Sequence, residues 1–588
     1  MDNLCKEGFY MNMKKKQVLP VLIIVGLIIL VLGFILISNL IKKYTPTKEH
    51  KELTEYYNIT EESQVAITLN HSVLENKAAM INGHVYLDYH FVHDILNERF
   101  YWDANENILL YTTASDVISA KADENNYSVG RNSTDYGRPI VKATGESAWI
   151  DLEFVKTYSD FTYSLYESPS RLVITNDWKE ITVSTLKGNT EIRLKGGIKS
   201  PILKDVTKGE VLTILEVDEK WTKVCSEDGI VGYVSSNKVK ITENKTLVSE
   251  YTAENFNHKK LDQTINFLWH PVFSMNANKE ISTILSTTKG IDVLSPSWFK
   301  PKDNDGNISS LASSDYVKYA HEHGVEVWGM VKNFDLDSSD IDVNYILTHT
   351  SSRQNLVKQL VAQAYQYSLD GLNIDFESLD ESEIGDSYIQ FLRELSIECE
   401  RFDILLSTAV HVPASFNSVY KYHEQVDFVD YICIMTYDQH WGQASGEGSV
   451  AALDWVEESV QNTLNEGIPA EQIILGVPFY TKLWKLTPTS EENSAEISYI
   501  IGFENVGLTT AKQWMNNNIS NPTWDEKIAQ YYGETVKNGV TYKMWLEDEA
   551  SIEAKLKLMQ EYKLAGAAFW SSDLDNTSIW EVIIKYIN

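Results

Sequence analysis

From Gln263 onward, short β-rich apolar runs alternate with stretches of helical period, and few folds accept that alternation. Eight runs of strand character stand at residues 265–269, 291–295, 325–330, 371–377, 404–410, 431–437, 473–479 and 565–570. Between them lie amphipathic stretches. Leu356, Val357, Leu360, Val361 and Ala364 form one apolar stripe, and Ile384, Tyr388, Phe391, Leu392 and Leu395 form the next. Eight strand–helix units predict a closed parallel (β/α)8 barrel of the α/β class, with its chemistry at the C-terminal ends of the strands.

The fourth run reads Asp370-Gly-Leu-Asn-Ile-Asp-Phe-Glu377. On a strand, Leu372, Ile374 and Phe376 face one side and Asn373, Asp375 and Glu377 the other. Two acids two residues apart on one face couple, so neither titrates alone. Glu377 is thereby suited to act as a protonated general acid, with Asp375 serving it. The octet resembles the DxxDxDxE signature of the family 18 glycoside hydrolases, chitinase-like (β/α)8 enzymes, with Asn373 in place of the middle aspartate.

Three further segments carry the same resemblance. Met435-Thr-Tyr-Asp438 is similar to the family's MxYD motif, Val477-Pro-Phe-Tyr480 to its seventh-strand segment, and Gly566-Ala-Ala-Phe-Trp570 to its last strand. The resemblance implies that Tyr437 bonds the acetamido oxygen of the substrate, that Asp438 arranges the sugar and that Trp570 floors its site. Asp370, Asn373, Met435, Tyr480 and Trp484 join the expected substrate-binding set. Trp269 and Trp298, near the ends of the first two strands, are further candidates for sugar contact. The resemblance also implies substrate assistance: the 2-acetamido oxygen attacks the anomeric carbon, and no metal or cofactor takes part. The third-strand SxGG is replaced by Val327-Trp-Gly-Met-Val-Lys-Asn333, a departure that leans away from typical chitinases and toward peptidoglycan-directed and spore-type members.

At 588 residues the chain is too long for one domain. Its net charge of −32 argues against a nucleic-acid partner, since phosphate binding needs a basic surface. Its four cysteines, Cys5, Cys225, Cys399 and Cys433, show neither zinc spacing nor a disulfide framework and read as buried free thiols. Residues 18–37 are apolar and long enough to cross a bilayer. They predict a signal anchor over 18–41, with a cytoplasmic tail at 1–17, a tether at 42–63 and the bulk of the chain extracellular.

Residues 64–178 hold an internal repeat. Tyr86-Leu-Asp-Tyr-His-Phe-Val92 parallels Trp149-Ile-Asp-Leu-Glu-Phe-Val155 at a spacing of 63 residues. This repeated small α+β unit resembles the copper amine oxidase N-terminal-like domain, although His84, His90 and His93 show no ordered ligand spacing and imply no copper. Residues 179–242, with Trp221-Thr-Lys-Val-Cys225, Asp228-Gly229 and Val231-Gly-Tyr-Val234, resemble a bacterial SH3 domain and so imply a wall-binding β-barrel. A linker at 243–262 leads to the catalytic barrel at 263–588, which carries an insertion at 484–543. The sequence thus predicts a membrane-anchored hydrolase of N-acetylglucosamine-containing glycans, foremost peptidoglycan. A chitin or chito-oligosaccharide hydrolase and a catalytically weak carbohydrate-binding protein are the alternatives.

Overall fold

The structure, a computed structural model, describes residues 5–145, 147–377, 379, 384–489 and 499–587. The polar run 490–496 of the expected insertion lies outside the described residues. The chain divides into two compact units, Met1–Asn97 with Ala148–Thr252 and Glu98–Ser147 with Ala253–Asn588. The segment read as one repeated module therefore contributes to both.

The first unit begins with a helix over Cys5–Tyr44. Its portion Pro20–Tyr44 spans 25 residues, none buried. At 1.5 Å per residue that is roughly 37 Å, enough to cross a hydrocarbon core of about 30 Å. The two copies of the repeat pair antiparallel through Trp149 to Asp88 and Asp151 to Tyr86. The repeated aspartates are helix N-caps. Asp88 accepts from the His90 amide, and Asp151 accepts from the amides of Glu153 and Phe154. The SH3-like region is a seven-stranded antiparallel sheet around Ile192, Leu212, Val224 and Val234. Its Asp228-Gly229 turn needs glycine: φ is +81°, and a Cβ there would sit 2.7 Å from Val173. Cys225, Cys399 and Cys433 are buried free thiols, as expected.

The second unit is the barrel. Its strands, labelled here β1 to β8, are β1 (Ile265–His270), β2 (Val293–Pro296), β3 (Glu326–Lys332), β4 (Gly371–Asp375), β5 (Leu405–His411), β6 (Tyr431–Met435), β7 (Ile473–Pro478) and β8 (Gly566–Trp570). All neighbours are parallel, and the β2–β3 pairing closes the ring. The eight strands lie where the sequence placed them. Alternation sorts their side chains: Leu372, Ile374 and Phe376 of the octet are fully buried among the surrounding helices. Burying each contributes roughly 2–3 kcal/mol. Phe267, Trp328, Leu405, Tyr431 and Cys433 fill the interior, where the Trp328 indole stacks on Tyr431 at 5.8 Å. Gly371 opens β4 because that indole occupies the space a side chain would take; a Cβ would lie 2.8 Å from it.

Two additions decorate the barrel. The segment Glu98–Ser147 forms a five-stranded meander running from Phe100–Asp103 to Asn132–Asp135. It packs on the helices Thr350–Tyr367 and Gly385–Arg401. Asp103 accepts from the amide and hydroxyl of Thr350 at 2.7 and 2.6 Å, and Tyr101 bonds Ser387 at 2.9 Å. Beneath it lies the buried pair Arg353–Glu394, 3.0 Å apart. The insertion before β8 is a five-stranded antiparallel sheet, from Tyr480–Pro488 to Val540–Leu546, packed on the helix Leu508–Asn518.

Candidate active site

The C-terminal ends of the strands converge on a cavity of about 210 Å³. Asp375 closes β4 and Glu377 follows two residues later. Met435 ends β6, with Tyr437 and Asp438 just beyond it. Trp570 ends β8, Trp269 lies near the end of β1 and Tyr480 opens the insertion sheet. All eight line the cavity.

Asp375 is 2 % exposed, and its Oδ1 has no hydrogen-bond partner among the described residues. Burial raises its carboxyl well above the usual carboxylate range, and the neighbouring Glu377 raises it further. Glu377 opens to the cleft yet is ringed by protein atoms. Desolvation, followed by the charges of Asp438 and Asp335, pushes it up to about 7. Both acids are raised, so the pair retains a proton near neutrality. The Glu377 amide donates to Asn333 Oδ1 at 2.9 Å, and the Tyr420 hydroxyl donates to the Phe376 carbonyl at 2.8 Å. These bonds fix the turn where the strand gives way to the acid.

Across the cavity, the rings of Tyr437 and Tyr480 meet edge to face at 6.3 Å. Tyr480 bonds Asp438, and the buried Lys482 pairs with the same carboxylate. Asp438 adopts a left-handed φ of 58°, which turns the chain out of β6 just past Tyr437. Trp570 lies 6.0 Å from Trp269, centroid to centroid. The arrangement offers a buried proton donor, an acceptor beside it, a phenol opposite and an indole floor. That set suits acid–base cleavage of a bond to a pyranose.

Four expected residues lie outside the cavity. Asp370 precedes β4 at the opposite end of the barrel, where it accepts from the Val327 amide and His321, both at 2.8 Å. Trp298 turns outward into the helix layer and donates to Asn278 at 2.8 Å. Trp484 is fully buried and donates to the Gly448 carbonyl at 2.8 Å, four residues along the strand from Tyr480. Asn373 sits in the interior below Asp375, bonded to Trp269 and Ser407.

Other residues at the site went unread in the sequence. His411 ends β5, lines the cavity and bonds the main chain of Glu377; burial lowers its pKa. Alternation from Leu405 and Ala409, both interior, would have placed it inward. Lys482 carried no signal, because nothing in the sequence says which insertion residues meet Asp438.

Residues 306–575 match the family model described as Glycosyl hydrolases family 18, and residues 188–240 match Bacterial SH3 domain. The first match starts after β2, so the structure completes the ring at its N-terminal side. The chain is 24 % identical over 297 residues to "Uncharacterized glycosylase YvbX" of Bacillus subtilis, covering 48 % of this chain and 81 % of that protein. It is 25 % identical over 264 residues to "Cortical fragment-lytic enzyme" of Bacillus anthracis, covering 44 % of this chain and only 59 % of that one. A solved structure, the C-terminal domain of a putative chitinase from Desulfitobacterium hafniense, superposes with a TM-score of 0.48 at 19 % identity, covering 55 % of this chain and 98 % of that one. The eight-stranded ring, the acids at the end of β4 and the family match together identify the barrel as a glycoside hydrolase domain of family 18, and residues 188–240 as a bacterial SH3 domain.

Proposed function

We propose that the chain is a membrane-anchored hydrolase that cleaves the β-1,4 bond after N-acetylglucosamine in peptidoglycan. The observation that carries the reading is the convergence of Asp375, Glu377, Tyr437 and Trp570 on one cavity. Glu377, protonated up to about pH 7, gives its proton to the glycosidic oxygen as the bond to the anomeric carbon breaks. The acetamido oxygen of the same sugar bonds that carbon, forming an oxazolinium ion. Water then attacks the carbon, the acetamido oxygen leaves and Glu377 takes the water's proton back. Asp375 Oδ1 is a buried acceptor with no hydrogen-bond partner among the described residues, suited to the acetamide N–H and to the positive charge that develops there. The Tyr437 hydroxyl holds the acetamido oxygen, and the Trp570 face lies under the ring.

Three features favour the wall as target: the SH3 domain, the apolar N-terminal helix and the likeness to a cortical fragment-lytic enzyme. Chitin oligosaccharides are the second reading, favoured by a 23 % likeness to human "Di-N-acetylchitobiase" over 285 residues. Purified peptidoglycan and chitin, each digested with the wild-type chain and with Glu377→Gln, decide between them. Mass spectrometry should show new reducing N-acetylglucosamine ends from peptidoglycan with the wild type and none with the variant. Release from chitin alone would replace the wall reading, and full release by Glu377→Gln would end the site assignment.

A further inference from the structure

β3 ends on Lys332, whose register partner on β4 is Asp375. Register partners on parallel neighbours share a face, so the lysine is directed to the same end of the barrel interior as the acid. Its side chain is 8 % exposed. The ammonium lies 5.0 Å from the ring centre of Phe334 and 5.5 Å from that of Phe273. Its ion-pair partner, Asp335 at 3.2 Å, has a side chain 66 % exposed. Water screens such a carboxylate, which makes it a poor counter-charge for a buried cation.

Among the described residues, Lys332 also acts on the two acids at the end of β4. The lysine opposes the rise of both carboxyls. The middle position of the octet, Asn373, adds no charge. Counting then favours one protonation state. With one proton on the pair, the set of Lys332, Asp375 and Glu377 is neutral. With none it carries one negative charge, and with two it carries one positive charge.

We propose that Lys332 is a positioning residue that holds the Asp375–Glu377 pair in its singly protonated form across the working pH range. The inference rests on the acid–base roles given to the pair above. Of the other charged groups facing the pair among the described residues, Asp438 is paired with Lys482 yet still raises Glu377, and burial lowers the pKa of His411. Tyr437 and Tyr480 face the pair from the far wall, and Tyr388 and Tyr420 from below. Burial keeps all four phenols protonated. Among the described residues, Asp438 and then Asp335 are the outer charges that work against the lysine at Glu377.

The experiment is the pH dependence of kcat/KM for the full chain in detergent, on whichever glycan the wild type cleaves. The acidic limb reports loss of the second proton from the pair and the basic limb loss of the last one. Lys332→Met should move both limbs to higher pH by about one to two units. Lys332→Arg keeps the charge and should leave both limbs in place. Asp335→Asn, at an exposed position, should move the basic limb to lower pH. The proposal is overturned if folded Lys332→Met shows the wild-type profile, or if Lys332→Arg moves as far as Lys332→Met. Should Lys332→Met fail to fold, an unmoved basic limb in Asp335→Asn overturns it. Activity in Glu377→Gln would instead strike the acid–base assignment, so the two failures are told apart.

Discussion

The indole Nε1 of Trp269 donates to the side-chain oxygen of Asn373 at 3.1 Å, joining β1 to β4 through the barrel interior. The amide nitrogen of Asn373 donates in turn to Ser407 on β5 at 2.9 Å. The asparagine thus uses both ends of its amide in a site with no exposure. Replacing it by aspartate would put a second carboxyl directly below Asp375. Burial and its neighbour would raise the pKa of that group in the folded state, so the destabilisation is absent below the unfolded value of about 4 and grows as pH rises. Asn373→Asp should lower the melting temperature more at pH 8 than at pH 5; equal losses at both would refute the charge argument.

In the proposed mechanism Glu377 supplies the proton. Glu377→Gln should reduce kcat by roughly 10²- to 10⁴-fold, with the far-UV spectrum and melting temperature of the wild type. Because its pKa is pushed up to about 7, wild-type kcat/KM should fall as pH rises through that value. A basic limb near pH 5 would contradict the raised acid.

Tyr437 lines the same cavity as the acids and, in the proposed mechanism, acts through its hydroxyl. Tyr437→Phe should cost roughly 10²- to 10³-fold in kcat, since a donor aimed at developing charge is removed while the ring remains. A change confined to KM would mean that the hydroxyl only binds.

Gly371 is fixed by packing. Gly371→Ala places a methyl 2.8 Å from the Trp328 ring and 3.1 Å from the Leu405 carbonyl. Overpacking of this kind costs about 1–3 kcal/mol, to be read by denaturant unfolding. Adding Trp328→Phe should recover part of the loss.

The ring was legible because its strands are buried on both faces and read as apolar runs. Eight of the nine cavity residues were legible for a related reason: each stands near or just past a strand end and, unlike His411, falls in a run already read for its motif or its aromatic ring. Trp484 and Trp298 were not. An indole beside a strand end can turn to the cavity or away, and only its hydrogen-bond partner, Gly448 or Asn278, shows which. Lys332 escaped for a different reason: a lysine reads as a surface group until the two phenyl rings around it are known. The meander was hidden too, because its strands look like a continuation of the repeat that precedes them.

That meander decides where the enzyme can be cut. A chain started at residue 263 would keep every strand of the ring but lose Tyr101, Asp103 and Thr112 from the outer helices. Arg353 and Glu394 would lose their cover. The hydrolase is therefore not a cassette that begins at residue 263: part of its wall is encoded well upstream of the SH3 domain.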